Sequence, residues 1–289
     1  MEFTLKNLFC FGFGYSARAL AARLDKLAWK VSATSRDPEG VAEINAQGFR
    51  GLLFDSKLQI APEVTHLLIS APPDENGDPV LNLHQEQLQE LSKQLKWVGY
   101  LSTTGVYGDR GGDWVDEDSP LEPSTARGQR RLDAEKSWLR LHNDFGLPVH
   151  LFRLAGIYGP GRNQLLTVLN GSAKRIIKPG QIFSRIHVDD IAGVLAASIA
   201  KPNPGRAYNV CDDEPCSPQD VVTYAAALLG LPVPPEIPFE DANLSPMARS
   251  FYADSKRVSN KRTKNELGYK LLYPNYREGL SALKSQFTR

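Results

Sequence analysis

The sequence is poor in the features that mark a specialised environment. Cysteine is scarce: Cys10, Cys211 and Cys216 are an odd, sparse set in 289 residues, which excludes a disulfide framework. Cys10 lies in an apolar, strand-like run and reads as a small core residue. Cys211 and Cys216 are spaced more widely than the usual metal pair, and no neighbouring Cys or His completes a set, so no metal site is expected. Charge of one sign is also lacking. Thirty-four Lys and Arg face 33 Asp and Glu, a net +1 that supplies no global field for nucleic acid or a membrane surface. The longest apolar runs, 194–200 and 225–231, fall far short of the roughly 20 residues that span a bilayer, and both read as buried helix. The start, Met-Glu with only Lys6 before a short apolar stretch, lacks the charged region and cleavage site of a signal peptide, so a cytoplasmic location is expected. Internal repeats and low-complexity tracts are missing too.

What remains is an ordinary globular composition, 42% hydrophobic and 23% charged, long enough for a large core. Apolar runs at 7–11, 29–34, 51–54, 66–70, 98–101 and 149–154 read as strands. Helical patterns from residue 16 and over 37–46, 83–95 and 124–145 separate most of them. This alternation is the signature of right-handed crossovers and a parallel sheet covered on both faces. After residue 154 the rhythm changes. Helices are expected over 164–170, 189–200, 218–229, 259–268 and 275–287, with a strand at 207–210 and an extended or looped stretch at the proline-dense 232–238.

Gly12-Phe13-Gly14-Tyr15-Ser16-Ala17 fits G-x-G-x-x-G/A between a strand and a helix. In that setting Gly12 permits the tight turn and Gly14 lets the backbone approach a pyrophosphate. Ala17 allows close helix packing, and the helix N-terminus supplies amide donors. An NAD site would carry an acid about 20 residues further on, closing the second strand. Here stand Thr34-Ser35-Arg36. Hydroxyl followed by guanidinium suits a 2′-phosphate, which favours NADP(H); the alternative is NAD, with Arg36 solvated and Asp37 on the ribose. Asp55, after the third strand, is placed to meet adenine. Ser70 and Ala71 end the fourth strand, where ligands of such sheets collect.

The next strand ends in Tyr100-Leu101-Ser102-Thr103-Thr104-Gly105-Val106-Tyr107-Gly108, which sets three hydroxyls at the sheet's carboxyl edge. With Arg153-Leu-Ala-Gly-Ile-Tyr-Gly-Pro-Gly161, His187-Val-Asp-Asp190 and Tyr208-Asn-Val210, this segment resembles the extended short-chain dehydrogenase/reductases, the nucleotide-sugar epimerases and dehydratases. The resemblance implies an α/β fold: a doubly wound parallel (Rossmann) sheet with a smaller, mixed C-terminal substrate lobe. The expected division is 1–156 plus 185–212 for the NAD(P)-binding domain and 157–184 plus 213–289 for the lobe.

In that family a Ser or Thr matching Thr103 orients the substrate hydroxyl, a Tyr is the general acid/base, and a Lys four residues later binds the nicotinamide ribose. Counting back from the family-like Ala134-Glu135, the Tyr position holds Arg127 and the Lys position Arg131. A guanidinium cannot shuttle a proton as tyrosine does. The chain therefore resembles an atypical subgroup that lacks the active-site tyrosine. Tyr107, Tyr158 or a carboxylate of the 109–118 loop is left to supply the proton, against a packing role for both tyrosines and a solvated acidic loop.

Cofactor contacts are expected from Gly12, Phe13, Gly14, Tyr15, Ser16, Ser35, Arg36, Asp55, Ser70, Ala71, Ser102 and Arg131. Thr103 and Tyr107 are the catalytic candidates, and Thr104, Arg127 and Arg162 read as substrate contacts. The stripe Arg127/Arg131/Glu135 reads equally as an ion-paired helix face. His187 and Asp190 are read as chiefly structural by the resemblance. Residues 249–289 carry ten Lys or Arg against three acids, either a draw for an anionic substrate or a solvated face.

The reading is an NADP(H)-using oxidoreductase or epimerase-like enzyme acting on a small polar, sugar-nucleotide-like substrate. No nucleic-acid or membrane partner is expected, and the resemblance implies a homodimer through 83–95 and 124–145. The rival is a non-catalytic NAD(P)-binding sensor or regulatory protein.

Overall fold

Strands and capped helices alternate along the chain in the computed structural model, which describes residues 5–285 and 287. The first half runs β1 (Lys6–Phe11), α1 (Tyr15–Arg23), β2 (Trp29–Ser35), α2 (Pro38–Ala46), β3 (Arg50–Leu53), β4 (His66–Ile69), α3 (Pro79–Glu90), β5 (Trp97–Thr103), β6 (Trp114–Val115) and α4 (Ala126–Phe145). The second runs β7 (Val149–Leu154), β8 (Gly156–Tyr158), α5 (Gln164–Leu169), β9 (Arg175–Ile177), β10 (Arg185–His187), α6 (Val188–Ala200), β11 (Ala207–Val210), α7 (Pro218–Leu229), β12 (Glu236–Pro238), α8 (Pro246–Phe251), β13 (Arg257–Val258), α9 (Lys261–Leu267) and α10 (Tyr276–Lys284).

Helix starts follow local chemistry. Asp37 accepts from the Gly40 N–H at 2.7 Å, and Asp78 from those of Val80 and Leu81 at 2.9 and 3.2 Å, each just before a proline that needs no amide partner. The Asp78–Pro79 signal starts α3 four residues ahead of the expected 83. Ser245–Pro246 starts α8, which the apolar pattern did not announce.

Seven strands form one sheet in the order β11-β7-β5-β4-β1-β2-β3, with β1, β2, β3, β4 and β5 in parallel register. Every residue of β4 and β7 is buried, as strands covered on both faces require. Strand order reverses between β1 and β4. In open α/β sheets the crevice at such a reversal, beyond the carboxyl ends of the strands, is where ligands bind.

The chain divides into two compact units. The first is built from residues up to Thr103 with Gln129–Arg153 and Ile191–Tyr208; the second from Thr104–Gly128, Leu154–Asp190 and the chain from Asn209 onward. The first has a core that includes Phe9, Phe11, Leu67, Val98, Tyr100, Trp138 and Val149. The second gathers α5, α7 and α10 around Tyr158, Leu165, Val221, Ala225, Tyr276 and Leu280, with short parallel pairs β8/β10, β9/β12 and β6/β13. Its boundaries differ from those expected of the sequence, because 104–128 is tied to later residues. Trp114 and Val115 pair with Arg257 and Val258, and the Ser255 N–H donates to Asp109 at 2.7 Å.

No helix among the described residues is long and apolar enough to cross a membrane.

Candidate cofactor and active site

β1 ends where its sheet reverses, and the chain must turn sharply there to enter α1. Gly12 does so at φ +82°. A Cβ at that position would lie 3.2 Å from the Ala71 nitrogen and 3.5 Å from the Ser70 carbonyl carbon, at the end of β4. Glycine is therefore required both for the dihedral and for the close approach. The Gly12 N–H donates to Thr34 Oγ1 at 2.9 Å, so this hydroxyl at the end of β2 braces the turn. Gly14 opens α1 without a side chain to cap it, and the first turn carries no acid. Ser16 and Ala17 are buried beneath. Arg18, which the sequence reading passed over, donates from Nε to the Phe13 carbonyl at 2.9 Å and holds the loop from outside. Gly12, Phe13, Gly14, Ser70 and Ala71 are thus brought together beside the uncapped start of α1, an arrangement that fits a pyrophosphate.

Beside it lies a cleft of about 340 Å³ walled by Phe13, Arg18, Ser35, Asp37 and Glu43, among others. Of its three acids, Asp37, Glu39 and Glu43, two are engaged: Asp37 Oδ1 caps α2, and Glu43 pairs with Arg18 at 3.4 Å. Arg36 is exposed and has no ion-pair partner among the described residues. Asp55 is half-buried after β3 and accepts from the Lys57 N–H at 2.8 Å.

At the end of β5 the side chains alternate faces, and α4 grips the strand through Arg131 and Glu135, one turn apart. The Arg131 guanidinium donates to the Leu101 carbonyl and lies 5.8 Å from the Tyr100 ring. The Ser102 hydroxyl donates to Glu135 Oε1 at 2.5 Å. Glu135 in turn receives the Arg153 guanidinium, Nε at 3.2 Å to both oxygens and Nη2 at 2.9 Å. Exposures of 4%, 1% and 4% for Ser102, Glu135 and Arg153 make this a buried network. The helix stripe is consequently no surface ion-paired face: Glu135 points inward, to a partner on β7. Thr103, last in β5, is half-buried.

In the second unit a 3₁₀ turn over Thr104–Tyr107 continues from β5. Thr104 is half-buried. Tyr107 is wholly buried, and its hydroxyl donates to Asn209 Oδ1 at 2.7 Å. Gly108 follows at φ +70°, where a Cβ would fall on the Glu122 carbonyl oxygen, so Val-Tyr-Gly is a packed corner. Tyr158 is 8% exposed, and burial pushes its hydroxyl far up. Arg127 is exposed, its guanidinium 5.7 Å from the Phe251 ring, and Arg162 is exposed in a tight turn with Gly159. His187 is buried between Tyr158 and Tyr273, and burial lowers its pKa. Asp190 accepts from Tyr269 and from the amides of Leu272 and Tyr273 at 2.7–3.0 Å, anchoring that loop.

Compared with known proteins, residues 12–211 match the model of the NAD dependent epimerase/dehydratase family. The chain belongs to this family. A structure of a functionally unknown conserved protein from Silicibacter pomeroyi DSS is 54% identical, with a TM-score of 0.92 over 98% of this chain and 100% of that one. Protein YeeZ of Escherichia coli K12 is 27% identical over 94% of this chain and 97% of its own length. At 19% identity the human epimerase family protein SDR39U1, solved with NADPH, shares the fold, with a TM-score of 0.75 over 97% and 99% of the two chains.

The family span runs from the glycine turn to β11. Within this epimerase/dehydratase family member, motif reading missed the residues that hold the site from behind. Asp78 could have been found from its capping signal, whereas nothing local reveals that Asp78 also takes the Trp138 indole N–H at 3.0 Å. Glu135 and Arg153 likewise carry no local signal of their pairing.

Proposed function

We propose that this chain is an NADP(H)-dependent oxidoreductase or epimerase-like enzyme that acts on a small polar, sugar-nucleotide-like substrate without a tyrosine acid/base. The observation that carries it is the positive-φ turn at Gly12, packed on Ala71 at the reversal of the sheet and opening onto an uncapped helix. Phe13, Gly14, Tyr15 and Ser16 would hold the pyrophosphate through backbone amides, and Gly12, its own N–H on Thr34, would make the turn that admits it. Ser35 and the unpaired Arg36 would take a 2′-phosphate, a choice favoured because Asp37 is occupied in capping α2. Asp55, Ser70, Ala71 and Ser102 would line the rest. When bound, a nicotinamide dinucleotide supplies hydride transfer.

The chain's own residues would do the rest. Ser102 gives its proton to Glu135, so it faces any ligand as an acceptor. Arg131, permanently charged and tied to β5, would place a hydroxyl or carboxamide oxygen but cannot exchange a proton. Thr103 would orient the substrate hydroxyl, and Thr104, Arg127 and Arg162 would contact the substrate.

A second reading, a dinucleotide-binding sensor without turnover, is favoured by the tyrosines. Tyr107 is committed to Asn209, and burial holds the Tyr158 proton tightly. Fluorescence titration with NADPH and NADH, followed by single-turnover NADPH oxidation against a carbonyl panel that includes nucleotide-linked ketosugars, separates the two. Oxidation by any member supports the enzyme; binding with silence across the panel supports the sensor. Failure of both dinucleotides to bind below millimolar concentration would overturn both readings.

A further inference from the structure

The second unit contains a cleft of about 250 Å³ that shares no residue with the glycine turn. Its walls include Trp114 from β6, Asp212 and Asp213 after β11, Ser259 after β13, and Lys261 and Lys264 of α9. Three of these have unspent binding capacity. Trp114 is 60% exposed, whereas Trp97 and Trp138 are fully buried, so an indole face stands open at the rim. The Lys261 ammonium has no hydrogen-bond or ion-pair partner among the described residues, whereas Lys264 is committed to Asp213 at 2.5 Å. Asp212 is 1% exposed; one oxygen accepts from the Glu214 N–H at 3.3 Å, and Oδ2 has no partner among the described residues. A buried polar atom without a partner is costly and marks a place where a ligand or water completes the structure.

We infer that this cleft is a second small-molecule site, whose ligand is a single hydroxylated ring bearing one anionic group, a sugar phosphate or sugar acid in class. The indole face would carry the apolar side of the ring, and Lys261 its anion. A ring hydroxyl would meet the buried Asp212 carboxyl. Burial raises that carboxyl's pKa well above the usual range, with Arg185 opposing, so a neutral hydroxyl matches it better than an ammonium. The volume lies below that of drug-sized pockets, which limits the occupant to about one ring. The site goes beyond the dinucleotide reading and does not depend on it.

The test is intrinsic-fluorescence titration of the full chain with glucose 6-phosphate, glucuronate, glucose and inorganic phosphate, with isothermal calorimetry in parallel and NADPH binding measured separately. A saturable change with either anionic sugar is expected, weaker with glucose or phosphate alone. Lys261→Met should weaken it about tenfold. Trp114→Leu should remove the fluorescence change and most of the calorimetric binding. Asp212→Asn should weaken binding severalfold, and if that variant fails to fold, Lys261→Met and Trp114→Leu decide the case. No saturable response to any of the four probes, equal binding of phosphate and sugar phosphate, or binding unchanged in both Lys261→Met and Trp114→Leu would overturn the site. Because NADPH is titrated separately, failure here is distinguishable from failure at the glycine turn.

Discussion

The glycine turn and the β5–α4 contact are built on opposite principles. At Gly12 the geometry is local: one residue at φ +82° between a strand and a helix, with its N–H on Thr34 and its missing side chain against Ala71. At the end of β5 the geometry is tertiary. Ser102, Glu135 and Arg153, from a strand, a helix and another strand, enclose a carboxylate that water barely reaches. The shape of the turn is thus written in a short string, while the surroundings of the end of β5 depend on residues scattered along the chain. Arg131 shares its stripe of α4 with Glu135, and behind β5 Ser102, Glu135 and Arg153 pair with one another.

The contrast breaks most visibly on the tertiary side. Glu135→Ala strands the buried Arg153 guanidinium and should cost about 3–5 kcal/mol, read from the midpoint of urea unfolding. A loss below 1 kcal/mol would show that solvent reaches the pair.

Acid should act on the same unit. Burial lowers His66 and His150 from 6.5 to about 4, and His150 Nε2 accepts from the Asn203 N–H at 2.9 Å, which requires the unprotonated ring. Between those values the unfolded chain binds more protons than the folded one, so stability should fall as pH drops from about 6.5 towards about 4. The size is on the order of 2–3 kcal/mol per histidine. Unfolding midpoints that stay flat from pH 7 to 5 would contradict this.

On the local side, Gly12→Ala should cost about 1–3 kcal/mol through the positive φ and also abolish dinucleotide binding, which Glu135→Gln should leave measurable. Equal affinity of Gly12→Ala and wild type for NADPH would remove the turn from the site. The smallest expected effect is that of Tyr107→Phe. It leaves Asn209 Oδ1 without its donor, at about 1 kcal/mol in thermal or urea unfolding. If instead stability is unchanged and turnover is lost, Tyr107 is the proton carrier.

The same contrast explains what could be read in advance. Seven sheet strands and most helices were legible because period and caps are local, and β7, α7 and β11 fall on their expected limits. The pairs β6/β13, β8/β10 and β9/β12 were not, since strands of two or three residues have no period and exist only through partners far along the chain. Of the site, the glycine turn and the end of β2 were legible. The roles of Thr34 as a brace, Asp37 as a cap and Glu135 as the partner of Arg153 needed coordinates, because one residue type serves solvent, helix and core alike. The mixed stripe on α4 shows it: spacing placed Arg131 and Glu135 on one face, and only packing turned that face inward.

The most direct test of the dinucleotide site is the ratio of NADPH to NADH dissociation constants in wild type and in Arg36→Ala. The wild type should prefer NADPH, and the substitution should weaken NADPH by about ten- to a hundredfold with NADH almost unmoved, the size of one charge-assisted contact. An equal loss for both cofactors, or a wild type that prefers NADH, would contradict the reading of β2's end as a 2′-phosphate site.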